Sequence, residues 1–423
     1  MRYRISLLML AAVLALSGCQ FIHDMENLKA TPPKPAPKLT TYHVPSSTTH
    51  SDAALDPVTV SPNGESTDST KLAPGHGVKV ALLLPLTGRS AELGKAMQDA
   101  ATLSLFDKYA RLSGKQAGTK LELLPKDTGD TPQQAAAAAE SAVADGAQFI
   151  IGPVFGDATE AAAKVSRAKG ISMLSLSNSS KGGDGVYLFG FSPQEQTSRV
   201  VGYALDQGKT RIAALVPDSA FGSMVLDAAR TTLATKGIKL VKEVRYAPEG
   251  TGIDKVADQL APQGGGAPVF DALLLPEGGA PLGTILRALS ARGINSANVQ
   301  FLGTGIWDDA VLVRRVPLEG AWLASSPPDD TTAFDKRFQE TYQYVPPRIA
   351  SLSYDAVALA VTLAVSGRPF DQATLTSNAG FDGPANGLFR LKANGQVQRG
   401  LSVLQVQGWG FKEISAAPAG FGP

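Results

Sequence analysis

The sequence predicts an α/β protein of two lobes, each a doubly wound and mostly parallel sheet, carried at the end of a disordered N-terminal tether. Three observations predict it. Val78–Leu84 is a near-continuous run of apolar β-formers, followed by the turn Pro85-Leu86-Thr87-Gly88 and an amphipathic run to about Tyr109. A strand buried on both faces reads this way when it feeds a crossover helix. The same alternation of strand, turn and helix restarts near residues 190–195, and two successive α/β halves argue for two wound lobes rather than one barrel. Residues 20–76 hold eight prolines and fourteen serines and threonines with few large apolar side chains. Such a segment buries too little surface to offset its chain entropy.

The N-terminus explains why a tether is there. Arg2 and Arg4 precede the short apolar run Ile5–Leu16, the pattern of a signal peptide and too short to span a bilayer comfortably. It ends in Leu16-Ser17-Gly18-Cys19, which resembles a bacterial lipobox; residues 1–18 then form the signal peptide and 19–76 a tether lipidated at Cys19. Cys19 is the single cysteine of the chain, so no intramolecular disulfide exists. Gln20 rather than aspartate follows it. By resemblance to bacterial lipoproteins, that residue favours the outer membrane, facing the periplasm. Anchoring of this kind attaches an otherwise soluble domain to a membrane. Fully stretched, the tether reaches on the order of 190 Å.

From residue 77 the elements follow in order. Val78–Leu84 and its helix lead to a strand at 120–127, then to Thr131-Pro132-Gln133-Gln134, a capping box with proline at the first helical position, opening an Ala-rich helix. Strands are expected at 148–153, 171–178 and 185–191, with Asp157 capping the helix after the first of these. Ser192-Pro193-Gln194-Glu195 is a second capping box. Beyond it come strands at 211–216, 239–244, 269–275 and 299–302, alternating with helices to about 235, at 254–260 and at 281–292. Helices near 332–342 and 351–365 and a hairpin of 387–390 with 396–406 complete the domain.

This order resembles the type I periplasmic binding fold, in its leucine/isoleucine/valine-binding branch. The residues that carry the resemblance are Leu83-Leu84-Pro85-Leu86-Thr87-Gly88, Ile151-Gly152-Pro153, Gly190–Glu195, Phe221-Gly222, Tyr354-Asp355-Ala356 and Gly383–Leu391, covering about residues 77–412. Within that branch the chain is similar to the binding-protein-like domain of the penicillin-binding-protein activator lipoproteins. Leu83–Gly88, the helix start Ser192–Glu195, Val216-Pro217 with Gly222, and Asp355-Ala356 match that family's pattern. The larger activators add an N-terminal helical-repeat domain, whose place is taken here by the tether. The resemblance implies lobe I from 77–192 and about 305–390, lobe II from 193–304 and about 391–412, and a flexible tail at 413–423.

The sequence also refuses several chemistries. All four histidines, His23, His43, His50 and His76, lie in the tether. The folded domain therefore lacks the imidazole base of Ser-His and Cys-His nucleophilic pairs, and the usual zinc ligands. No Walker A run is present, and Gly303-Thr304-Gly305 lacks the third glycine of a dinucleotide fingerprint. A formal charge of +1 argues against a nucleic-acid surface. No catalytic residue, cofactor or metal is expected.

In amino-acid binders of this fold, hydroxyls and backbone N–H groups after strands three and four hold the ligand carboxylate. Those positions are Gly156, where the family often has serine, and Ser177 and Ser179, which serve either as donors or as turn residues beside Asn178. Phe221 replaces the family's tyrosine, and Gly305 stands where an acidic residue holds the ligand ammonium, with Asp308 three positions on. Trp307 either stacks on the cleft wall or packs in the lobe. Thr87, Gly88 and Ser90 form one rim. The resemblance therefore implies a partly dismantled amino-acid clamp, and two functions from different classes. One is a non-catalytic outer-membrane lipoprotein that binds and activates a peptidoglycan synthase; the other is a solute-binding lipoprotein of a transporter, taking a small amino-acid or peptide-like ligand.

Overall fold

Every residue of β1, Val78–Leu84, is buried except Lys79, and in this computed structural model the strand lies between two parallel neighbours. The structure describes residues 77–112, 120–179, 181–248, 250–262, 264, 266–315 and 317–422, all within the unit Ser66–Pro423. The signal peptide, Cys19 and the tether lie outside the described residues. On one side β1 pairs with β2, Leu121–Asp127, from Val78↔Leu121 to Leu84↔Asp127; on the other it pairs with β3, Phe149–Ile151. With β4, Met173–Ser175, and β5, Val186–Leu188, they form a five-stranded parallel sheet in the order β2-β1-β3-β4-β5.

The two-residue period of a strand explains why β1 reads as an unbroken apolar run. Val80, Leu82 and Leu84 face a core shared with helices α1, Ala91–Tyr109, and Ala350–Val365, whereas Ala81 and Leu83 face the small alanines of α2, Pro132–Ala144, and α3, Gly156–Ala168. The capping box that opens α2 is formed in full: Thr131 accepts from Gln134 N, and Gln134 reaches back to the backbone of Thr131. α3 starts two residues earlier than an Asp157 cap would place it. Phe155 occupies the cap position without a side-chain bond, and Asp157 sits in the first turn, where a carboxylate favours the helix dipole.

The second lobe opens with α4, Pro193–Asp206, and holds a seven-stranded sheet. Its strands are β6 Ile212–Pro217, β7 Lys242–Tyr246, β8 Ala272–Leu274, β9 Gln300–Gly303, β10 Trp322–Ser325, β14 Ser402–Gln407 and β15 Gly410–Ser415, in the order β15-β14-β10-β9-β8-β6-β7. A small antiparallel sheet of β11 Phe381–Gly383, β12 Gly387–Leu391 and β13 Val397–Arg399 joins the core of the first lobe.

This topology moves the expected lobe boundaries. β10 pairs in parallel with β9, Trp322↔Leu302, so residues 305–326 stay in the second lobe rather than returning to the first at about 305. The chain returns at Pro327-Pro328, with helices Pro328–Tyr342 and Ala350–Val365 packing on the first core. The expected strand at 396–406 is two strands, broken at Gly400-Leu401: β13 pairs with β12, and β14 pairs antiparallel with β10. Residues 413–415 belong to β15 and are not a flexible tail. The described chain thus passes between the sheets near 189–193, 325–328 and 399–402. Among the described residues no helix is long and apolar enough to cross a membrane, and no group of three metal-ligating side chains is found.

Candidate functional site

The rim after β1 is held by Asp127 at the end of β2. Its carboxylate accepts from Leu86 N at 2.9 Å, Thr87 N at 3.2 Å, Thr87 Oγ1 at 2.5 Å and Gly129 N at 2.8 Å. Desolvation opposes ionisation, and these donors, Thr87 Oγ1 foremost, outweigh it, so Asp127 titrates below its usual range. Gly88 adopts φ 79°, and a Cβ there would lie 2.2 Å from Asp130 Oδ2. Thr87 and Gly88 therefore build the turn. Ser90 is the residue preceding α1 and makes no capping bond with its side chain.

The loops after β3 and β4 are tied to each other. Thr159 Oγ1 lies 2.8 Å from Ser175 Oγ, which donates to Pro153 O at 3.2 Å and accepts from Ser177 N at 3.2 Å. Ser177 Oγ in turn accepts from Ser179 N at 3.1 Å and lies 3.4 Å from Ser179 Oγ. A Cβ on Gly156 would sit 2.2 Å from Ser179 O and 2.8 Å from Ser179 Oγ. The missing hydroxyl at 156 is thus a packing requirement: the 177–179 loop occupies its space. Gly156→Ser is expected to destabilise the chain by about 1–3 kcal/mol without conferring amino-acid binding, as read by thermal unfolding with and without leucine.

On the second lobe, Phe221 follows the Ser219 cap of α5, Ala220–Ala234, and packs partly buried against that lobe's core. Gly305 N donates to Gln196 Oε1 at 3.1 Å. Trp307 is a correction to the expected cleft. Its ring is fully buried among Phe301, Leu312, Leu323 and other core residues, and its Nε1 donates to Glu277 O at 2.6 Å. Asp308 turns to the inter-lobe joint instead of the ammonium position. Its Oδ2 accepts from Ser325 Oγ at 2.5 Å and from Arg348 Nε at 3.1 Å.

Arg348, which sequence reasoning missed, carries more of the site than Asp308. Its guanidinium lies 4.0 Å from the Phe191 ring centroid and lines a cavity of about 210 Å³ with Leu176, Ser177, Asn178, Phe191 and Leu352. Nothing in the Pro346-Pro347-Arg348 spacing marks it, because it acts across a distance of many residues. A second cavity, about 450 Å³, is lined by Ser179 of the first lobe, Ala220 and Met224 of the second, and Glu195 and Lys392 between them.

Behind these cavities the joint buries charge. Arg399 is 6% exposed, its Nη2 donates to Phe189 O at 2.5 Å, and its guanidinium lies 4.3 Å from the Phe189 ring and 5.4 Å from that of Phe191. Its Nε and Nη1 have no partner among the described residues. Burial pulls Arg399 down to about 10, with Asp355 and Glu195 opposing. The second capping box is only half formed, which explains where Glu195 goes. Ser192 Oγ accepts from Glu195 N at 3.3 Å, but the Glu195 carboxylate accepts from Arg399 N at 3.2 Å.

Burial pushes Glu195 from 4.5 up to about 7, against the pull of Arg399, Lys392 and that hydrogen bond. Because the folded value is the higher one, the protonated carboxyl favours the folded state. That contribution is complete below about pH 4.5 and is lost as pH rises through about 7. The chain is expected to melt higher near pH 5 than near pH 8, and Glu195→Gln to remove on the order of 1–3 kcal/mol of that difference. Melting curves of both proteins at the two pH values check it.

A family model described as a periplasmic binding protein matches residues 77–411. The chain belongs to the periplasmic binding protein family. Among solved structures of similar fold, a putative branched-chain amino acid ABC transporter from Rhodospirillum rubrum is 21% identical, with a TM-score of 0.69 over 80% of this chain and 100% of that one. The leucine-, isoleucine-, valine-, threonine- and alanine-binding protein of Pseudomonas aeruginosa is 33% identical over 100 residues, 24% of this chain and 26% of that protein. Penicillin-binding protein activator LpoA of Photobacterium profundum is 30% identical over 152 residues, 35% of this chain and 23% of that protein. The chain spans about half or less of the length of the curated relatives it matches.

Proposed function

We propose that this periplasmic binding protein is a non-catalytic lipoprotein, anchored through Cys19 in the outer membrane and facing the periplasm, that binds and activates a penicillin-binding protein and so regulates peptidoglycan synthesis. The observation that carries the reading is the filled clamp: Ser179 O occupies the space beside Gly156, and Asp308 is committed to Arg348. An ammonium held without a carboxylate partner pays its full desolvation cost, so a free α-amino acid is a poor ligand for this cleft. The similarity to a penicillin-binding protein activator and the lipobox support the same reading.

The test is glycan polymerisation by a purified bifunctional synthase from the same cells, with and without the full chain. Several-fold stimulation is expected; an unchanged rate for every synthase of the organism refutes the reading. Cys19→Ala is expected to leave the outer-membrane fraction on cell fractionation, and its retention there would refute the anchor.

A second reading has one observation in its favour. The 210 Å³ cavity pairs an apolar wall, Leu176, Phe191 and Leu352, with the Arg348 guanidinium, a combination suited to a small apolar carboxylate. Solute-binding proteins of similar fold from Rhodopseudomonas palustris were solved with 3,4-dihydroxybenzoate and benzoate. Stabilisation of the chain by benzoates, with no effect on any synthase, selects this reading over the first.

A further inference from the structure

The three passages of the chain between the lobes are joined by a fourth connection at the C-terminal side. β15 ends at Ser415 in the sheet of the second lobe. There the chain is anchored by Arg199 of α4, whose Nη2 donates to Ser415 Oγ at 2.7 Å and to Ala416 O at 3.1 Å while its Nε donates to Leu401 O at 2.8 Å. The following residues then cross to the small sheet of the first lobe. Arg390 of β12 donates from Nη1 to Gly422 O at 3.1 Å, and its guanidinium lies 4.9 Å from the Phe421 ring centroid. Gln398 orients that arginine, accepting from its Nε at 2.8 Å. Phe421 also abuts Gly380, where a Cβ would approach its ring to 3.1 Å.

Between the two anchors the segment is lightly held. Ala416 and Pro418–Gly420 are exposed, and beneath the segment lies a cavity of about 620 Å³ lined by Glu195, Arg199, Leu401, Pro418 and Phe421. A segment with few buried contacts opens at low free-energy cost. The seven residues 416–422 extend at most about 25 Å, so a relative rotation of the lobes that separates the anchors beyond that reach must break one of them. Of the two anchors, the Arg390–Phe421 contact is the more exposed and the simpler to break.

We propose that residues 416–422 form a releasable strap, fixed by Arg199 on the second lobe and by Arg390 on the first, that restricts rotation of the lobes about their joint. The strap goes beyond the proposed function: it holds for a regulator and for a solute binder alike, because in both the lobes must move to expose or close their facing surfaces.

The test is a spin-label distance measurement on the full chain carrying Cys19→Ser, which leaves no native cysteine. One label pair, Gln133→Cys with Lys236→Cys, spans the lobes; a second, Gln133→Cys with Lys164→Cys, lies within the first. Arg390→Ala combined with Phe421→Ala is expected to broaden the inter-lobe distance distribution about twofold and to leave the intra-lobe distribution unchanged. A second variant inserts four glycine and serine residues after Ala417, keeping both anchors but adding slack, and the same broadening is expected. An inter-lobe distribution unchanged in both variants overturns the strap, as does equal broadening of both label pairs.

Discussion

Asp355→Ala is expected to cost about 3–5 kcal/mol of stability and to loosen the joint between the lobes. Asp355 lies in the middle of the helix Ala350–Val365, which is apolar almost all round and buried between the first sheet and its neighbours. Its carboxylate accepts from Ala385 N and from Asn386 Nδ2, each at 2.8 Å. Asn386 in turn accepts from Ser326 Oγ at 3.0 Å and Ser351 Oγ at 3.2 Å, so one carboxylate orders the loop before β12 and the crossing at Ser326. Truncation leaves two buried donors unpaired and removes a negative charge that favours the buried Arg399 cation. Asp355→Asn keeps one acceptor and is expected to cost less, about 1–3 kcal/mol. Denaturant unfolding of the two variants checks the order; equal loss would mean that the acceptor kept by asparagine contributes nothing and that the charge, lost in both, accounts for the whole cost.

Trp307→Ala is expected to cost about 3–5 kcal/mol with no change in any ligand response. The indole fills the second core beneath β9 and closes over Gly303, where a Cβ would lie 2.2 Å from its ring. Its Nε1 bond to Glu277 O ties the end of β9 to the end of β8. Truncation therefore loses apolar burial, leaves a cavity and unpairs a carbonyl. If Trp307 lined the cleft, the substitution would alter ligand binding and spare stability. Melting curves beside a ligand screen separate the two outcomes.

These two residues mark where sequence reasoning reached and where it stopped. The wound sheets were legible because β1 and β6 are buried on both faces and read as unbroken apolar runs bounded by turns. β10 and β15 were not: Trp322–Ser325 is four residues without alternation, and the half-exposed edge strand Gly410–Ser415 has no apolar pattern. The lobe boundary at 305 failed for that reason, since only β10 shows that the chain stays in the second lobe. At the site, the loss of side-chain chemistry at Gly156 was visible, but its cause was not, because it depends on a carbonyl twenty-three residues away. Arg399 left a faint signal, a charged residue at an inward position between Val397 and Leu401. Its role at the joint needed the three-dimensional meeting of Glu195, Phe189 and Asp355.

On the proposed reading, the cleft keeps the shape of the fold while the chain itself fills its amino-acid clamp. Thermal unfolding of the full chain with leucine, isoleucine, valine and alanine at millimolar concentration tests it most directly. A ligand at 100 times its Kd stabilises the folded state by about 2.7 kcal/mol. No shift in melting temperature is expected with any of the four. A rise of several degrees with one of them, abolished by Ser177→Ala, would contradict it.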